Sequence, residues 1–523
     1  MIVKWTGPLV LSIAKKSGLL MFISIDHGAS VPVYQQISGQ IRKMILSGIL
    51  PVGFKLPSER RLADTLEINR STVLSAYREL KADGFISSAA GKGTVVLPYE
   101  TVEMERKPSY ELPWRQLFSE TASRVKEPLL KDLMVMASRD GVISFAAGIT
   151  SPEVYPLDFF RSCQSELLDE HAAQLFLHTP TEGIFPLRQS LAHMMGKRGI
   201  VASPEEIMVV SGSQQGLDLI SRALIDPGDF VIVEEPTFFY ALQLFKAAGA
   251  RMMSIPVDGE GMRVDLLEAA LSRVRPKFIY TLPTFQNPSG SVMSPARRHR
   301  LLQLAYQYQI PILEDDPYSE LIYEGEPIPS LKALDRYGYV IYLSTFSKLL
   351  FPGLRIGWMT APVAVNRQFL YLKQTMDLHS NSISQYMLDR FLRQNRLDEH
   401  IKVARLEYAR RRDIMLEELS KSPALDMSWN KPAGGLYLWC RLGKAVDPVR
   451  LLAKATEYKV AYVSGDVFFA EKQSENYIRL NFTYPSPDMI RIGIQRLLKA
   501  LEESVNTDSP DRNNSKPEIL PLE

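Results

Sequence analysis

Cysteine is scarce in this chain. Cys163 and Cys440 are the only two among 523 residues, so no disulfide framework is available, and their spacing matches no metal-ligand motif. Both cysteines are expected to be ordinary free thiols, which suits a protein of the reducing cytoplasm. An excess of one charge is also absent, since 61 Lys and Arg stand against 59 Asp and Glu, a net charge of +2. The net charge is therefore too small to attract nucleic acid or anionic membranes, and any basic surface has to be local.

Long hydrophobic runs are missing as well. Lys15 and Lys16 interrupt the apolar stretch of the first twenty residues, well short of the about 20 residues that span a membrane. We predict no export signal and no membrane span. Met21 is an alternative start, because the periodic sequence begins soon after it.

The length predicts several domains, since one hydrophobic core cannot serve 523 residues. Residues 29–97 are predicted to form short helices and a β-hairpin. Residues 98–127 carry scattered prolines and mixed charge without a sustained period, which is typical of a linker. Residues 128–503 alternate brief apolar runs with longer helical patterns. Residues 504–523 are polar and are predicted to be disordered.

The apolar runs of the large domain each end in a polar turn: "EEIMVVSG", "FVIVEEP", "KFIYTLP", "IPILEDD" and "YVIYLST". Short continuous apolar runs separated by helical patterns are typical of strands in a covered parallel sheet. We therefore predict an α/β fold, with a mostly parallel sheet and helices on both of its faces.

The stretch "LPSERRLADTLEINRSTVLSAYRELKADGFI" predicts a helix-turn-helix, with Ser58 and Asn69 as the N-caps of its two helices. Arg70, Ser71 and Thr72 then lie at the exposed start of the second helix. Such motifs contact base edges and phosphates with these positions.

The following "ISSAAGKGTVV" predicts a β-hairpin, or wing, with Lys92 at its tip. Residues 31–96 contain nine Lys and Arg against five Asp and Glu, which gives this segment a charge of +4. The basic surplus is therefore local, as DNA binding requires. A small helical domain with solvated arginines is the alternative interpretation.

These segments, together with "YQQISGQIRKMILSGILPVGFKLPSERRLA", closely resemble the winged-helix DNA-binding domain of GntR-type bacterial regulators. Leu74 stands where some of those proteins have another arginine, so their operator sequence does not transfer to this chain. The resemblance implies three principal DNA-contacting residues and three supporting ones: Arg60, Arg70 and Thr72, then Ser58, Ser71 and Lys92.

In the large domain, "STFSKLLFPGLRIGW" places Lys348 just beyond a predicted buried strand, at the carboxyl end where α/β sheets bind ligands. Arg355 follows seven residues later. Its guanidinium could bind a phosphate and, by like-charge repulsion, lower the pKa of the lysine. The alternative is an ordinary solvated turn lysine.

Three further motifs favour a ligand site. In "SGSQQGLDL" a helix begins after a Gly-Ser turn, so the amides of Ser213 and Gln214 face an anion. In "EDDPYSEL" Asp315 ends a strand, with Tyr318 three residues on, and a carboxylate there could hold a pyridinium nitrogen protonated. In "NPSG" Asn287 offers an amide donor.

Together and in this order, the motifs of residues 128–500 closely resemble the fold-type I aminotransferases that use pyridoxal 5′-phosphate. The resemblance implies a small C-terminal α+β subdomain and a Schiff base between Lys348 and the cofactor. The other implied roles are phosphate binding by Arg355, Ser213 and Gln214, with Ser347 beside them; pairing of Asp315 with the ring nitrogen; bonding of the ring hydroxyl by Asn287 and Tyr318; stacking by Phe238; and binding of an effector carboxylate by Arg479.

One position departs from that family. In "FLHTPTEGIFPLR" this chain has His178, where the family usually has a tyrosine that reaches the cofactor phosphate of the partner subunit. His178 could substitute as a donor, or the contact could be weaker.

A GntR-type winged helix joined to an aminotransferase-like domain resembles the MocR-type regulators. The resemblance implies a cytoplasmic, homodimeric transcription regulator that binds duplex DNA and pyridoxal phosphate, and senses that cofactor or an amino-compound adduct. Two alternatives stay open. The chain could be an active aminotransferase with an appended DNA-binding domain, or an architectural DNA-binding protein with a cofactor-free scaffold.

Overall fold

The computed structural model describes residues 9–13, 21–26, 31–89, 93–98, 112, 117–124, 141–422, 426–471 and 475–507. The chain divides into two compact units, Met1–Trp114 and Arg115–Glu523. This division lies within the segment 98–127 that the sequence predicts as a linker. The limits predicted for that linker and for the flanking domains stay predictions.

The first unit has the elements of a winged helix preceded by an extra hairpin. Strand β1 pairs antiparallel with β2, and β3 pairs antiparallel with β4. The elements are β1 Leu9–Ile13, β2 Met21–Ile25, α1 Val33–Leu46, α2 Glu59–Leu66, α3 Arg70–Ala82, β3 Ile86–Ala89 and β4 Gly93–Val96.

Both predicted N-caps of the helix-turn-helix are confirmed. The Ser58 hydroxyl accepts a hydrogen bond from the Arg61 N–H at 3.3 Å, and the Asn69 side-chain oxygen accepts from the Ser71 N–H at 3.4 Å. Between the two helices Glu67 adopts a left-handed conformation with φ of 52°, which ends α2 after two turns. The start of α3 is therefore fixed by its cap.

The hairpin β1–β2 is not predicted by the sequence analysis, which found the periodic sequence only after Met21. Ile23 and Ile25 of β2 are buried in the same apolar core as Leu62 and Val73 of the helix-turn-helix. The hairpin thus contributes to the core of the first unit. Its alternating pattern is too short to distinguish from the apolar stretch of a leader segment.

The second unit consists of alternating strands and helices. Its helices are α4 Glu120–Arg124, α5 Leu157–Leu175, α6 Phe185–Gly196, α7 Ser213–Leu224, α8 Phe239–Ala248, α9 Val264–Leu271, α10 Pro295–Tyr308, α11 Leu331–Leu334, α12 Val363–Met376, α13 Ser382–Arg393, α14 Arg396–Leu419, α15 Pro448–Glu457 and α16 Pro487–Thr507. Its strands are β5 Ile143–Ser144, β6 Ile207–Val210, β7 Phe230–Glu235, β8 Arg251–Asp258, β9 Gly261–Met262, β10 Ile279–Thr281, β11 Ile312–Asp315, β12 Val340–Thr345, β13 Gly357–Thr360, β14 Met427–Trp429, β15 Tyr437–Leu442, β16 Val460–Ala461, β17 Val463–Ser464 and β18 Asn476–Asn481.

The main sheet has eight strands in the order β6-β13-β12-β11-β10-β7-β8-β9. The five predicted strands are confirmed as β6, β7, β10, β11 and β12. Strand β13 runs antiparallel to β12 and β6, and β9 runs antiparallel to β8, while the other pairs are parallel. A smaller antiparallel sheet, β14-β15-β18-β17, follows toward the C-terminus. The predicted α/β class with a second, smaller α+β part is confirmed.

The main sheet is buried on both faces. Along β7, Val231 and Val233 join one apolar core while Ile232 joins a second, so alternate side chains face opposite layers of helices. The polar side chains of the strands are therefore left at the strand ends, where the chain turns.

Helix α16 continues through Thr507, so the predicted disordered tail is wrong for residues 504–507, and residues 508–523 lie outside the described residues. In the described part of the chain, no helix is both long and apolar enough to cross a membrane.

Candidate functional site

Lys348 lies at the carboxyl end of β12, three residues after Thr345, as the sequence predicts. Its ammonium group donates a hydrogen bond to the backbone oxygen of Gly148. Desolvation is the largest influence on Lys348 and lowers its pKa, and the positive charges of Arg479 and Arg355 act in the same direction. The effect of Arg355 has the direction that the sequence predicts, although desolvation contributes more. A lowered pKa favours the neutral, nucleophilic amine.

Asp315 ends the neighbouring strand β11 and is only 2% exposed. Its Oδ2 accepts a hydrogen bond from the Tyr280 hydroxyl at 2.9 Å, whereas its Oδ1 has no partner among the described residues. Burial raises the pKa of Asp315 to about 7. A buried carboxylate oxygen without a donor fits a cationic N–H group of a ligand.

Asn287 connects two other predicted site residues. Its Nδ2 donates to the Tyr318 hydroxyl at 3.4 Å, and its Oδ1 accepts from Nη1 of Arg479 at 3.0 Å. Arg479 also donates to the backbone oxygen of Ala146 at 3.2 Å, while its buried Nε has no partner among the described residues. This guanidinium is held in place and keeps donor capacity for an anion.

Tyr437, at the start of β15, is a site residue that the sequence analysis missed. The Arg479 guanidinium lies 4.0 Å from the centre of its ring. Burial acts to raise the pKa of Tyr437, but the charges of Arg479 and Lys348 outweigh it and the pKa is lowered. Nothing local in "GGLYLW" distinguishes this tyrosine from a core residue, and the same is true of Tyr280 on β10.

Gly212 lies in the tight turn before α7, and the Arg355 side chain lies against this turn. Gly212 has a φ of 89°, a left-handed conformation that favours glycine, and a Cβ added to it would lie 2.9 Å from Nη2 of Arg355. Arg355 donates to the Ser211 carbonyl at 2.5 Å. Ser213 and Gln214 then begin the helix, and their N–H groups are free of intrahelical partners in the way that suits an anion.

The remaining predicted cofactor residues lie on turns of the same unit. The buried Ser347 precedes Lys348, and its N–H donates to the Thr345 hydroxyl at 3.1 Å. Phe238 is half-buried at the N-cap of α8, immediately after β7. His178 is exposed, with its Nδ1 3.0 Å from Nε2 of His379.

The predicted DNA-contacting residues of the first unit lie mostly in solvent. Ser58, Arg60, Arg70 and Ser71 are exposed, and Thr72 is half-buried. The Arg70 side chain is 67% exposed and lies 3.5 Å from Glu59, a surface ion pair that contributes little to stability. The predicted contact at Lys92 lies outside the described residues.

The residues of the second unit fit pyridoxal phosphate. The Gly212–Arg355 turn has the shape and charge for a phosphate, the unpaired oxygen of Asp315 suits a protonated ring nitrogen, and Lys348 offers an amine with a lowered pKa. These three features lie at the carboxyl ends of strands of the same sheet. A single phosphorylated aromatic aldehyde bound there can contact all three.

Two family models match the chain. Residues 155–497 match "Aminotransferase class I and II", and residues 33–96 match "Bacterial regulatory proteins, gntR family". The Aromatic-amino-acid aminotransferase 1 of Thermococcus litoralis is 43% identical over 400 residues, which are 75% of this chain and 96% of that protein. The crystal structure of a multiple substrate aminotransferase from Thermococcus profundus is 41% identical with a TM-score of 0.72, covering 76% of this chain and 100% of that one.

Other relatives extend over both units. The uncharacterized HTH-type transcriptional regulator YdfD of Bacillus subtilis is 32% identical over 90% of this chain and 97% of its own length. The probable rhizopine catabolism regulatory protein MocR of Rhizobium meliloti is 28% identical over 91% of this chain and 95% of its own length. These matches confirm the predicted combination of domains. The chain belongs to the aminotransferase class I and II family, and it carries ahead of that domain a winged helix of the gntR family of bacterial regulatory proteins.

Proposed function

We propose that this chain is a MocR-type transcription regulator of the cytoplasm that acts as a homodimer. The first unit binds an operator in duplex DNA, and the second binds pyridoxal phosphate and senses that cofactor or an amino-compound adduct. One observation carries the proposal: a single chain combines an exposed, basic helix start at Arg70 with a buried ligand site around Lys348 and Asp315.

Lys348 and the turn at Gly212 before α7, with Arg355 beside it, would hold the cofactor. When bound, pyridoxal phosphate supplies an aldehyde that condenses with amines and a ring that withdraws electrons. Lys348 offers Nζ to it, and Arg355 binds the phosphate together with the N–H groups of Ser213 and Gln214 and the hydroxyl of Ser347. The lowered pKa of Lys348 keeps more of the amine neutral near pH 7.

The buried polar residues would orient the ring and the effector. Asp315 would accept the ring N–H on its Oδ1, which has no partner among the described residues, and Asn287 and Tyr318 would bond the ring hydroxyl. Arg479 binds the carboxylate of an effector through donors that the protein leaves available. Phe238 would cover one face of the ring.

The first unit would contact DNA through the start of α3. Arg60, Arg70 and Thr72 reach base edges and phosphates in the major groove, with Ser58 and Ser71 beside them and Lys92 on the wing. The local charge of +4 over residues 31–96 makes this binding dependent on salt.

Sensing requires that ligand binding and DNA binding be coupled. A ligand changes DNA affinity only if it binds with different affinity to the two conformations of the protein, one of which binds DNA more tightly than the other. The test is fluorescence anisotropy of the full-length protein on a labelled duplex from upstream of its own gene. The assay is run without cofactor, with pyridoxal phosphate, and with pyridoxal phosphate plus single amino acids. A change in affinity is expected, and identical affinities under all conditions would contradict sensing.

An active aminotransferase is the second candidate, and the 43% identity to an aromatic-amino-acid aminotransferase favours it. Release of a keto acid from an amino acid over many turnovers, together with no binding to the duplex, would replace the proposed function with this one. Slow or single-turnover release with specific DNA binding supports the regulator.

A further inference from the structure

Gln215 holds the turn that precedes α7. From the first turn of the helix its side chain reaches back, and its Oε1 accepts a hydrogen bond from the Ser211 N–H at 2.7 Å. Arg355 binds the carbonyl of the same residue at 2.5 Å. Both backbone polar groups of Ser211 are therefore bound by side chains, and the turn leading into Gly212 is fixed at its start.

The orientation of the Gln215 amide is itself determined by a neighbour. Its Nε2 donates to Oδ2 of Asp377 at 2.7 Å. A carboxylate can only accept here, so the NH₂ group has to face Asp377 and the amide oxygen has to face Ser211. Without this carboxylate the amide could flip and present a donor to the Ser211 N–H.

Asp377 is held in turn by Lys373 on α12. The Lys373 ammonium lies 2.8 Å from Oδ1 of Asp377, and its side chain is 0% exposed. Burial lowers the pKa of Lys373, and its hydrogen bond and charge interaction with Asp377 oppose that shift. A buried ammonium with one carboxylate partner is costly to separate from it. Lys373, Asp377 and Gln215 thus form one continuous polar chain that ends at Ser211.

We propose that this chain of Gln215, Asp377 and Lys373 positions the phosphate-binding turn. It fixes the backbone of Ser211 so that the N–H groups at the start of α7 and the Arg355 guanidinium converge on one anion. None of the three residues touches the ligand in this role, so they are positioning residues. The inference rests on the proposed function insofar as it requires pyridoxal phosphate at this turn.

The test compares two ligands that differ only in the phosphate group. Dissociation constants for pyridoxal phosphate and for pyridoxal are measured by absorption titration on full-length wild type and Gln215→Leu, which removes both hydrogen bonds at similar volume. We expect binding of pyridoxal phosphate to weaken about tenfold and binding of pyridoxal to change less than about twofold. Asp218→Asn is the matched control, because it removes only the negative charge of the half-buried Asp218, which pairs with the exposed Arg222 on the same helix, and it should change neither constant.

A merely structural role would weaken both ligands equally, and that result, like no change in either, would overturn the inference. Lys373→Met provides a second measurement if Gln215→Leu does not fold. It should weaken pyridoxal phosphate selectively but by a smaller factor, because Gln215 itself remains. Failure of wild type to bind pyridoxal phosphate, or to form a borohydride-trapped adduct at Lys348, would instead overturn the proposed function.

Discussion

The two units carry their candidate chemistry in opposite ways. In the second unit, Asp315, Asn287 and Arg479 are no more than 3% exposed, and Asn287 and Arg479 are joined by a hydrogen bond. In the first unit, Arg60 and Arg70 lie in solvent on a small framework whose own core is apolar. Binding of a small cofactor needs dehydrated groups fixed in place, whereas reading DNA needs side chains that can reach outward.

The comparison predicts that substitutions in the two units differ in their effects on binding affinity and on stability. In the first unit the exposed Arg60 or Arg70 can be removed without exposing the core, so DNA affinity should change while stability does not. In the second unit Asn287, Tyr318 and Arg479 form a buried polar network, so removal of one of them should change cofactor affinity and stability together. The following predictions test this division, from the largest expected effect to the smallest.

Lys348→Ala should abolish covalent attachment of pyridoxal phosphate, because Lys348 is the lysine that directly follows the carboxyl end of β12. The measurement is mass spectrometry after borohydride reduction, with the exposed Lys402 replaced by Ala as a control that should still form the adduct. DNA affinity without cofactor should stay within about twofold of wild type. An adduct retained by the variant would show that another lysine reacts.

Asp315→Asn should weaken pyridoxal phosphate binding by about tenfold to a hundredfold, because a charge-assisted hydrogen bond to the ring nitrogen is replaced by a neutral one. The asparagine oxygen can still accept from the Tyr280 hydroxyl. Absorption titration measures the loss. Unchanged affinity would mean that the ring nitrogen does not meet this side chain.

The same variant should change the pH dependence of stability without cofactor. The pKa of Asp315 rises from 3.8 to about 7 on folding. The stabilisation of the folded state by protonated Asp315 is therefore fully present below about pH 4 and is lost as the pH rises toward 7. The thermal midpoint of Asp315→Asn relative to wild type should therefore increase from about pH 4 to about pH 7 and then level off. A constant difference across this range would contradict the burial argument.

Arg70→Ala should weaken operator binding about tenfold and reduce the slope of log affinity against log salt by about 1, because one contact at the helix start is lost. The thermal midpoint should not change, since the ion pair with Glu59 is exposed. Arg78→Ala is the matched control, as it removes the same charge from an exposed position further along α3. Equal losses in both variants would indicate a general charge effect.

Tyr437→Phe should have the smallest effect. Interaction with Tyr437 raises the pKa of Lys348, so loss of the hydroxyl should lower that pKa further. The pH profile of the rate of adduct formation with pyridoxal phosphate should then move to lower pH. A shift to higher pH would contradict the proposed interaction.

The sequence predicts the parts of the fold that depend on local pattern. Strands such as β6 and β12 are continuous apolar runs, and the caps Ser58 and Asn69 follow from residue type and position. The sequence does not predict strands β8 and β13, because β8 has a single buried residue and contains Pro256, while β13 is short and begins at Gly357.

The candidate site is predictable only where a motif carries it. Lys348 and Asp315 end recognisable strands, so their positions follow from the pattern. Tyr437 and Tyr280 become site residues only because the folded chain places them beside Arg479 and Asp315. Likewise, the sequence predicts that Arg355 lowers the pKa of Lys348, but not the larger effect of desolvation, because desolvation depends on packing that no motif records.

One amide in the second unit serves two neighbours at once. Asn287 accepts from Arg479 at one end and donates to Tyr318 at the other. A carboxylate that competes for Arg479 therefore also alters the donor that meets an aromatic hydroxyl. Occupation of either position has to change affinity at the other by the same factor. Binding of a carboxylic acid and binding of the cofactor would then affect each other through the Asn287 side chain, without any larger movement of the protein.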